Sequence, residues 1–201
     1  MKSILWKVNG GVQRLDDKLE HIQFLTGNTL KVIAVLTMIV DHICKIVLQW
    51  LLTDGDWGVM LDSGKMSWEQ YQQIDYFIRF DLQSIGTIAF PLFCFLLTEG
   101  FKHTIIAELF RCDYGLEGIL LYIAAFYVCR KNRIYQVLLF LSAYMVATGN
   151  QPPLCTLLAC VLILLYNGKR GKLRLKYFFY AFYPIHIIIL YLIRVSLTNF
   201  S

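Results

Sequence analysis

Two apolar stretches of the sequence each carry a histidine, the side chain best suited to proton transfer near neutral pH. His42 follows Asp41 within the stretch 30–52, and His186 lies within the stretch 177–198. An imidazole in an apolar setting stays neutral because desolvation disfavours its charged form, and a neutral imidazole can accept a proton or carry an acyl group. These two histidines and Asp41 are therefore the candidate catalytic residues. A structural polar contact between helices is the alternative for each of them.

Lys31 precedes His42 by eleven residues. Eleven steps of about 100° return a helix to within about 20° of its starting angle, with a rise of about 16 Å. The spacing predicts that Lys31 and His42 share one helix face. The lysine would lie at the end of the helix and the histidine near the middle of the membrane.

Further candidates for substrate binding lie where apolar stretches end. Glu99 and His103 are four residues apart, so a helix would place them on one face, where they could hold a polar substrate group or cap the helix. The segment 166–172 combines a glycine-containing turn with polar and cationic side chains, a composition that suits phosphate binding and equally fits a cytoplasmic loop. Its candidate phosphate-binding residues are Asn167, Lys169 and Arg170. The six cysteines mostly lie in apolar stretches without metal-ligand spacing, so no metal is predicted.

The elements that must position these residues are apolar helices. Hydrophobic residues make up 57% of the 201 residues and charged residues 16%, against about 25% charged residues in soluble domains. Lipid offers no partners for free backbone groups, so segments that span it must be helical. The sequence predicts an all-α, polytopic integral membrane protein and excludes an ordinary soluble fold. Six apolar segments are found near residues 30–52, 82–101, 116–129, 134–148, 153–167 and 177–198.

The charges outside these segments predict their orientation, because cytoplasmic loops are enriched in Lys and Arg. The segments predicted to lie inside are the polar lead-in 1–29 and residues 102–113, 130–133 and 169–176. The acidic segment 53–81 and the uncharged turn 149–153 are predicted to lie outside. These positions agree only if 116–129 is re-entrant or interfacial, which leaves five full spans. Orientation also accounts for the net charge of +5, so no nucleic-acid partner is expected.

No linker or internal repeat divides the chain, and residues 1–201 are predicted to form a single membrane domain. The motifs that carry the candidate residues resemble, in order, those of the TraX family, multi-pass bacterial membrane proteins associated with N-terminal acetylation of conjugative pilin. The matching stretches are Lys31 to His42, Ile85 to Phe93, Glu99 to Thr104, Asp113 to Gly115, Tyr166 to Gly171 and Phe182 to His186. The family is similar in turn to membrane acyltransferases in which ten residues separate a basic residue from a histidine.

The chain departs from the family pattern at two places. Thr87 stands where family members usually have Arg. The additional spans that usually separate the His-Thr and Asp-Tyr-Gly motifs, with an Asn-Val-Phe-Phe-Thr-like segment, have no room between His103 and Asp113. The chain therefore resembles a family member that is shortened in the middle.

The resemblance implies an O- or N-acetyltransferase of the bacterial cytoplasmic membrane, with acetyl-CoA as donor and a pilin or an envelope glycan as acceptor. His42 would be the general base or acyl carrier, Asp41 would orient a neighbouring helix, and His186 would position the acceptor. The donor's phosphates would be held by Lys31, Lys169 and Arg170. A small proton-coupled transporter, which also needs ionisable groups at mid-membrane, and a catalytically degenerate scaffold of the same family are the alternatives.

Overall fold

The computed structural model describes residues 15, 18–100, 115–129, 132–172 and 176–200. Within these residues the chain is helical, apart from loops and one isolated bridge between Leu25 and Tyr166. The helices are α1 Gly27–Ile43, α2 Gln49–Thr53, α3 Asp56–Asp62, α4 Trp68–Tyr76, α5 Gln83–Gly86, α6 Ala89–Gly100, α7 Gly115–Val128, α8 Arg133–Thr148, α9 Leu154–Leu164 and α10 Lys176–Phe200. Two π-helical turns, Cys44–Leu48 and Phe77–Leu82, connect α1 to α2 and α4 to α5. The prediction of an all-α chain is confirmed for the described residues.

Two continuous helical stretches in the described part of the chain are long and apolar enough to cross a membrane, Gly27–Asp62 and Trp68–Leu96. The shorter apolar helices are Arg133–Thr148, Leu154–Leu164 and Pro184–Asn199. Large apolar side chains stand exposed on these shorter helices, among them Val146 and Leu154, each 81% exposed. Apolar surface of this extent suits contact with lipid. The complete six-segment topology stays a prediction.

The acidic segment 53–81 is the main difference from the predicted fold, because it is largely helical rather than a loop. It contains α3, α4 and the second π-helical turn, so the second long helix begins at Trp68 and not near residue 82. A capping box starts α4: the Gln70 amide donates to Ser67 Oγ at 3.2 Å, and the Ser67 amide donates to Gln70 Oε1 at 3.0 Å. The polar composition of the segment concealed this helix start.

The chain divides into two compact units, and the first consists of residues 1–32 and 90–172. Its described core is aromatic: Phe126 and Phe140 stack with ring centroids 4.9 Å apart, and Phe95 meets Phe126 edge-on at 5.6 Å. In this unit α7 packs against α8, and α8 packs against α9. The predicted turn at 149–153 is confirmed, because Gly149 ends α8 with a left-handed φ of 67° and its amide donates to the Met145 carbonyl.

The second unit consists of residues 33–89 and 173–201. Its described core is formed by Cys44, Leu52 and Ile78, around which partly buried apolar residues pack, including Trp57 of α3 and Ile74 of α4. These contacts explain why the acidic segment folds into helices, since each helix buries one apolar face. Helix α10 packs against the first π-helical turn, Cys44–Leu48.

Candidate functional site

The structure brings His42 and His186 into direct contact within the second unit. Nδ1 of His42 lies 2.7 Å from Nε2 of His186, and the ring centroids are 5.0 Å apart, so the two rings meet edge to edge. His186 is 7% exposed, and His42 is half-buried. The sequence predicted the two histidines as separate candidates, and their pairing is a product of the tertiary fold.

Local helix geometry holds both rings of this pair. Nδ1 of His186 lies 2.8 Å from the Phe182 carbonyl oxygen one turn earlier, and the Phe182 ring is nearly parallel to the imidazole, at 4.9 Å and 8°. Pro184 lies between them inside α10, where its ring removes one backbone hydrogen bond. On the other side of the pair, His42 lies two residues before the first π-helical turn, Cys44–Leu48, a distortion that is frequent at functional sites.

Asp41 has a structural environment of its own in the same unit. Its Oδ2 pairs with Nζ of Lys45 at 3.0 Å, one turn along the helix. A Cβ added to Gly86 would clash with the Asp41 side chain, so α5 approaches α1 closely at this point. The orienting role expected of Asp41 stays a prediction. Thr87, at the position where the family usually has Arg, donates its hydroxyl to the Ser84 carbonyl at 2.7 Å.

The predicted donor-binding loop belongs to the first unit, where it lies against the start of α1. The amides of Gly27 and Asn28 donate to the carbonyls of Lys169 and Arg170, at 2.8 and 3.1 Å. The side chain of Asn167 accepts the Lys169 amide at 2.9 Å, which fixes the turn. The first amides of α1 are thus already bonded, and a phosphate bound here would have to contact side chains.

Three cations of the first unit belong to this loop or to the start of α1. Lys169 and Arg170 are exposed, and Lys31 is half-buried and close enough to Arg170 to be affected by its like charge. The loop needs a glycine at position 171, because Gly171 has a φ of 88° and a Cβ there would lie 2.8 Å from the side-chain Nδ2 of Asn28. The structure therefore collects positive charge at the start of α1.

Glu99 is held by an ion pair with Arg133, whose Nη1 lies 3.0 Å from Glu99 Oε1. The same nitrogen donates to Gln136 Oε1 at 2.9 Å, and the fully buried Gln136 amide donates to the Phe126 carbonyl at 2.8 Å. The Arg133 guanidinium also lies 5.0 Å from the ring centroids of two aromatic residues, Phe95 and Tyr166. His103, the other predicted residue of this motif, lies outside the described residues.

We call Arg133, Gln136 and Glu99 the Arg133 network. The sequence predicted Glu99 as a candidate but missed Arg133 and Gln136. Arg133 was counted as one of the cations that orient the membrane helices. The signal that identifies it is the spacing Arg133-x-x-Gln136 at the start of an apolar helix, which places both polar groups on one face. Among the described residues, no group of three or more His, Cys, Asp or Glu side chains could hold a metal ion.

Comparison with known proteins gives one family. The family model described as TraX protein matches residues 26–111 and 103–194. The two matched stretches overlap at residues 103–111. This overlap lies between His103 and Asp113, where family members usually carry additional spans. No curated protein and no solved structure matches the chain. Because the matched stretches cover well over half of the 201 residues, the chain belongs to the TraX family.

Proposed function

We propose that this TraX family member is a membrane-bound acetyltransferase of the bacterial cytoplasmic membrane. It would transfer an acetyl group from acetyl-CoA to a pilin or an envelope glycan. The observation that carries this proposal is the contact of 2.7 Å between His42 and His186, two imidazoles contributed by two apolar helices. Ionisable side chains are costly inside a membrane and are functional by default.

In the proposed reaction His42 acts as the general base. It takes the proton from an amine or hydroxyl of the acceptor, whose lone pair attacks the thioester carbonyl and forms the new C–N or C–O bond. The C–S bond breaks, and the CoA thiolate leaves with the proton that His42 held. A positioned base of this kind raises the reaction rate about 10²–10⁴-fold.

The donor would be held at its phosphate end by Lys31, Lys169 and Arg170. Phosphates prefer cationic partners. The charge of Lys31 is close enough to that of Arg170 to be affected by it, and the backbone of Lys169 and Arg170 bonds to the start of α1. Lys31 and His42 belong to the same continuous helix, with a rise of about 16 Å between them.

A proton-coupled transporter is the second candidate function. It is favoured by the titratable groups on adjacent turns of the second unit, where the histidine pair is followed by the Asp41–Lys45 ion pair. Such groups also form proton pathways in transporters. This candidate requires no acetyl donor, which separates it from the first.

Inverted membrane vesicles that contain the full chain would test the proposal, because they expose the cytoplasmic face. Vesicles given radiolabelled acetyl-CoA should transfer label to protein or envelope fractions. His42→Ala should lower this transfer by about 10²–10⁴. His21→Ala, the same substitution at an exposed histidine, is the matched control and should transfer at the parent rate.

Two outcomes would contradict the acetyltransferase. One is undiminished transfer by a well-folded His42→Ala protein. The other is an absence of transfer by the parent chain together with proton-driven solute uptake into liposomes, which would favour the transporter.

A further inference from the structure

The hydrogen bonds of the histidine pair fix the position of each ring proton. The Phe182 carbonyl oxygen can only accept a hydrogen bond, and it lies 2.8 Å from Nδ1 of His186, so this nitrogen carries the proton. In neutral His186 the other nitrogen, Nε2, is then the acceptor. Nε2 lies 2.7 Å from Nδ1 of His42, so the proton between the two rings belongs to Nδ1 of His42.

These two hydrogen bonds determine which nitrogen of His42 can react. With its proton on Nδ1, neutral His42 has its lone pair on Nε2, and Nε2 is the nitrogen that can accept a proton. The hydrogen bond made by one ring nitrogen sets the state of the other, as in enzymes in which a buried partner orients a catalytic histidine. The backbone carbonyl of Phe182 can only accept, so it fixes the direction of both hydrogen bonds.

We propose that His186 is a positioning residue that holds the proton of His42 on Nδ1 and makes Nε2 of His42 the base. Its buried position and its nearly parallel stacking on Phe182 restrict its ring to the orientation that aims Nε2 at His42. This role differs from the expected one, in which His186 positions the acceptor. The consequence for catalysis rests on the proposed function, whereas the proton positions do not.

Nitrogen-15 NMR of the full chain in lipid nanodiscs, with labelled histidine, tests the proton positions directly. Ring nitrogens with and without a proton give well-separated signals, and the four histidines can be assigned by single substitutions. Both His42 and His186 should carry a proton on Nδ1 and none on Nε2. A proton on Nε2 of His42 in the parent chain would overturn the proposal, with no variant needed.

Two substitutions separate this role from simple packing. His186→Gln keeps an amide oxygen near the position of Nε2, so His42 should retain its proton on Nδ1 and transfer should fall by about tenfold at most. His186→Phe keeps the ring shape without the acceptor, so the proton preference of His42 should be lost and transfer should fall by about 10². Equal proton patterns in the two variants would overturn the proposal.

The two proposals fail in different ways. If the parent chain shows the expected proton pattern but no acetyl transfer, the proposed function is overturned and the proton positions stand. If the parent transfers acetyl groups with the proton of His42 on Nε2, the acetyltransferase stands and the role of His186 is overturned.

Discussion

Each unit of the chain holds polar side chains against apolar helices, and the two do so with different chemistry. In the first unit, Arg133 bonds to Glu99 and Gln136 and lies over two aromatic rings. In the second unit, His42 bonds to His186, and His186 also bonds to the backbone carbonyl of Phe182. Arginine keeps its proton at any physiological pH, whereas histidine exchanges one near neutrality. If the proposed function is correct, the Arg133 network should matter for the stability of its unit and the histidine pair for acetyl transfer.

The largest effect is expected from His42→Asn. The asparagine amide can still donate toward Nε2 of His186 but provides no base, so acetyl transfer should fall by about 10²–10⁴ while the melting temperature changes little. Transfer rate and melting temperature should be measured on the same preparation. A variant that loses both together would break the comparison, because His42 would then be a structural residue like Arg133.

The next effect is expected at the loop that faces the start of α1. The double substitution Lys169→Gln and Arg170→Gln should weaken binding of a CoA analogue by about 10–100-fold, because two charge-assisted contacts to phosphate are lost. Binding of pantetheine, which lacks the phosphates, should not change. Lys65→Gln removes an exposed cation elsewhere and serves as the control. Unchanged CoA binding by the double variant would mean that the loop cations only orient the protein in the membrane.

Arg133→Met should affect stability rather than chemistry. It leaves Glu99 and Gln136 without a half-buried partner, at a cost of about 1–3 kcal/mol, so the melting temperature should fall while transfer per folded molecule stays near the parent value. Adding Glu99→Gln should recover part of the stability, because the unpaired carboxylate is removed. Thermal melts of the single and double variants measure both steps. A loss of transfer without a loss of stability would mean that Arg133 takes part in acetyl transfer.

The smallest perturbation comes from topology reporters, which leave both units intact. A reporter fused after residue 131 should be cytoplasmic and one fused after residue 201 should be external, because the positive segments are expected to lie inside. These positions would place the loop 165–171 on the side where CoA is found. An external signal after residue 131 would instead mean that 116–129 crosses the membrane.

Sequence reasoning succeeded where a pattern is local. Apolar stretches predicted α7, α8 and α10 to within a few residues, and Gly149 with two following prolines predicted the turn after α8. It failed for α3 and α4, because their many polar residues conceal the few apolar ones that pack on Cys44, Leu52 and Ile78. The composition of such a helix is dominated by the polar residues of its exposed face, so the helix is mistaken for a loop.

The candidate site was predicted as residues and not as contacts. His42, His186 and Asp41 were identified because ionisable groups stand out in apolar helices, but the bond between the histidines joins residues 144 positions apart. Arg133 was overlooked because a cation at a helix end has an ordinary explanation in membrane orientation. Only the fold reveals that Glu99 is its partner.

The bonds between the start of α1 and the loop 165–171 also have a consequence for biosynthesis. The amides of Gly27 and Asn28 precede their partners, Lys169 and Arg170, by 142 residues (169 minus 27 and 170 minus 28). At about 5–20 residues per second, a ribosome makes that length of chain in about 7–28 s. During this interval the leading amides of α1 bond to water or to other partners. The loop therefore completes the bonding of α1 only after the helices between them have been made.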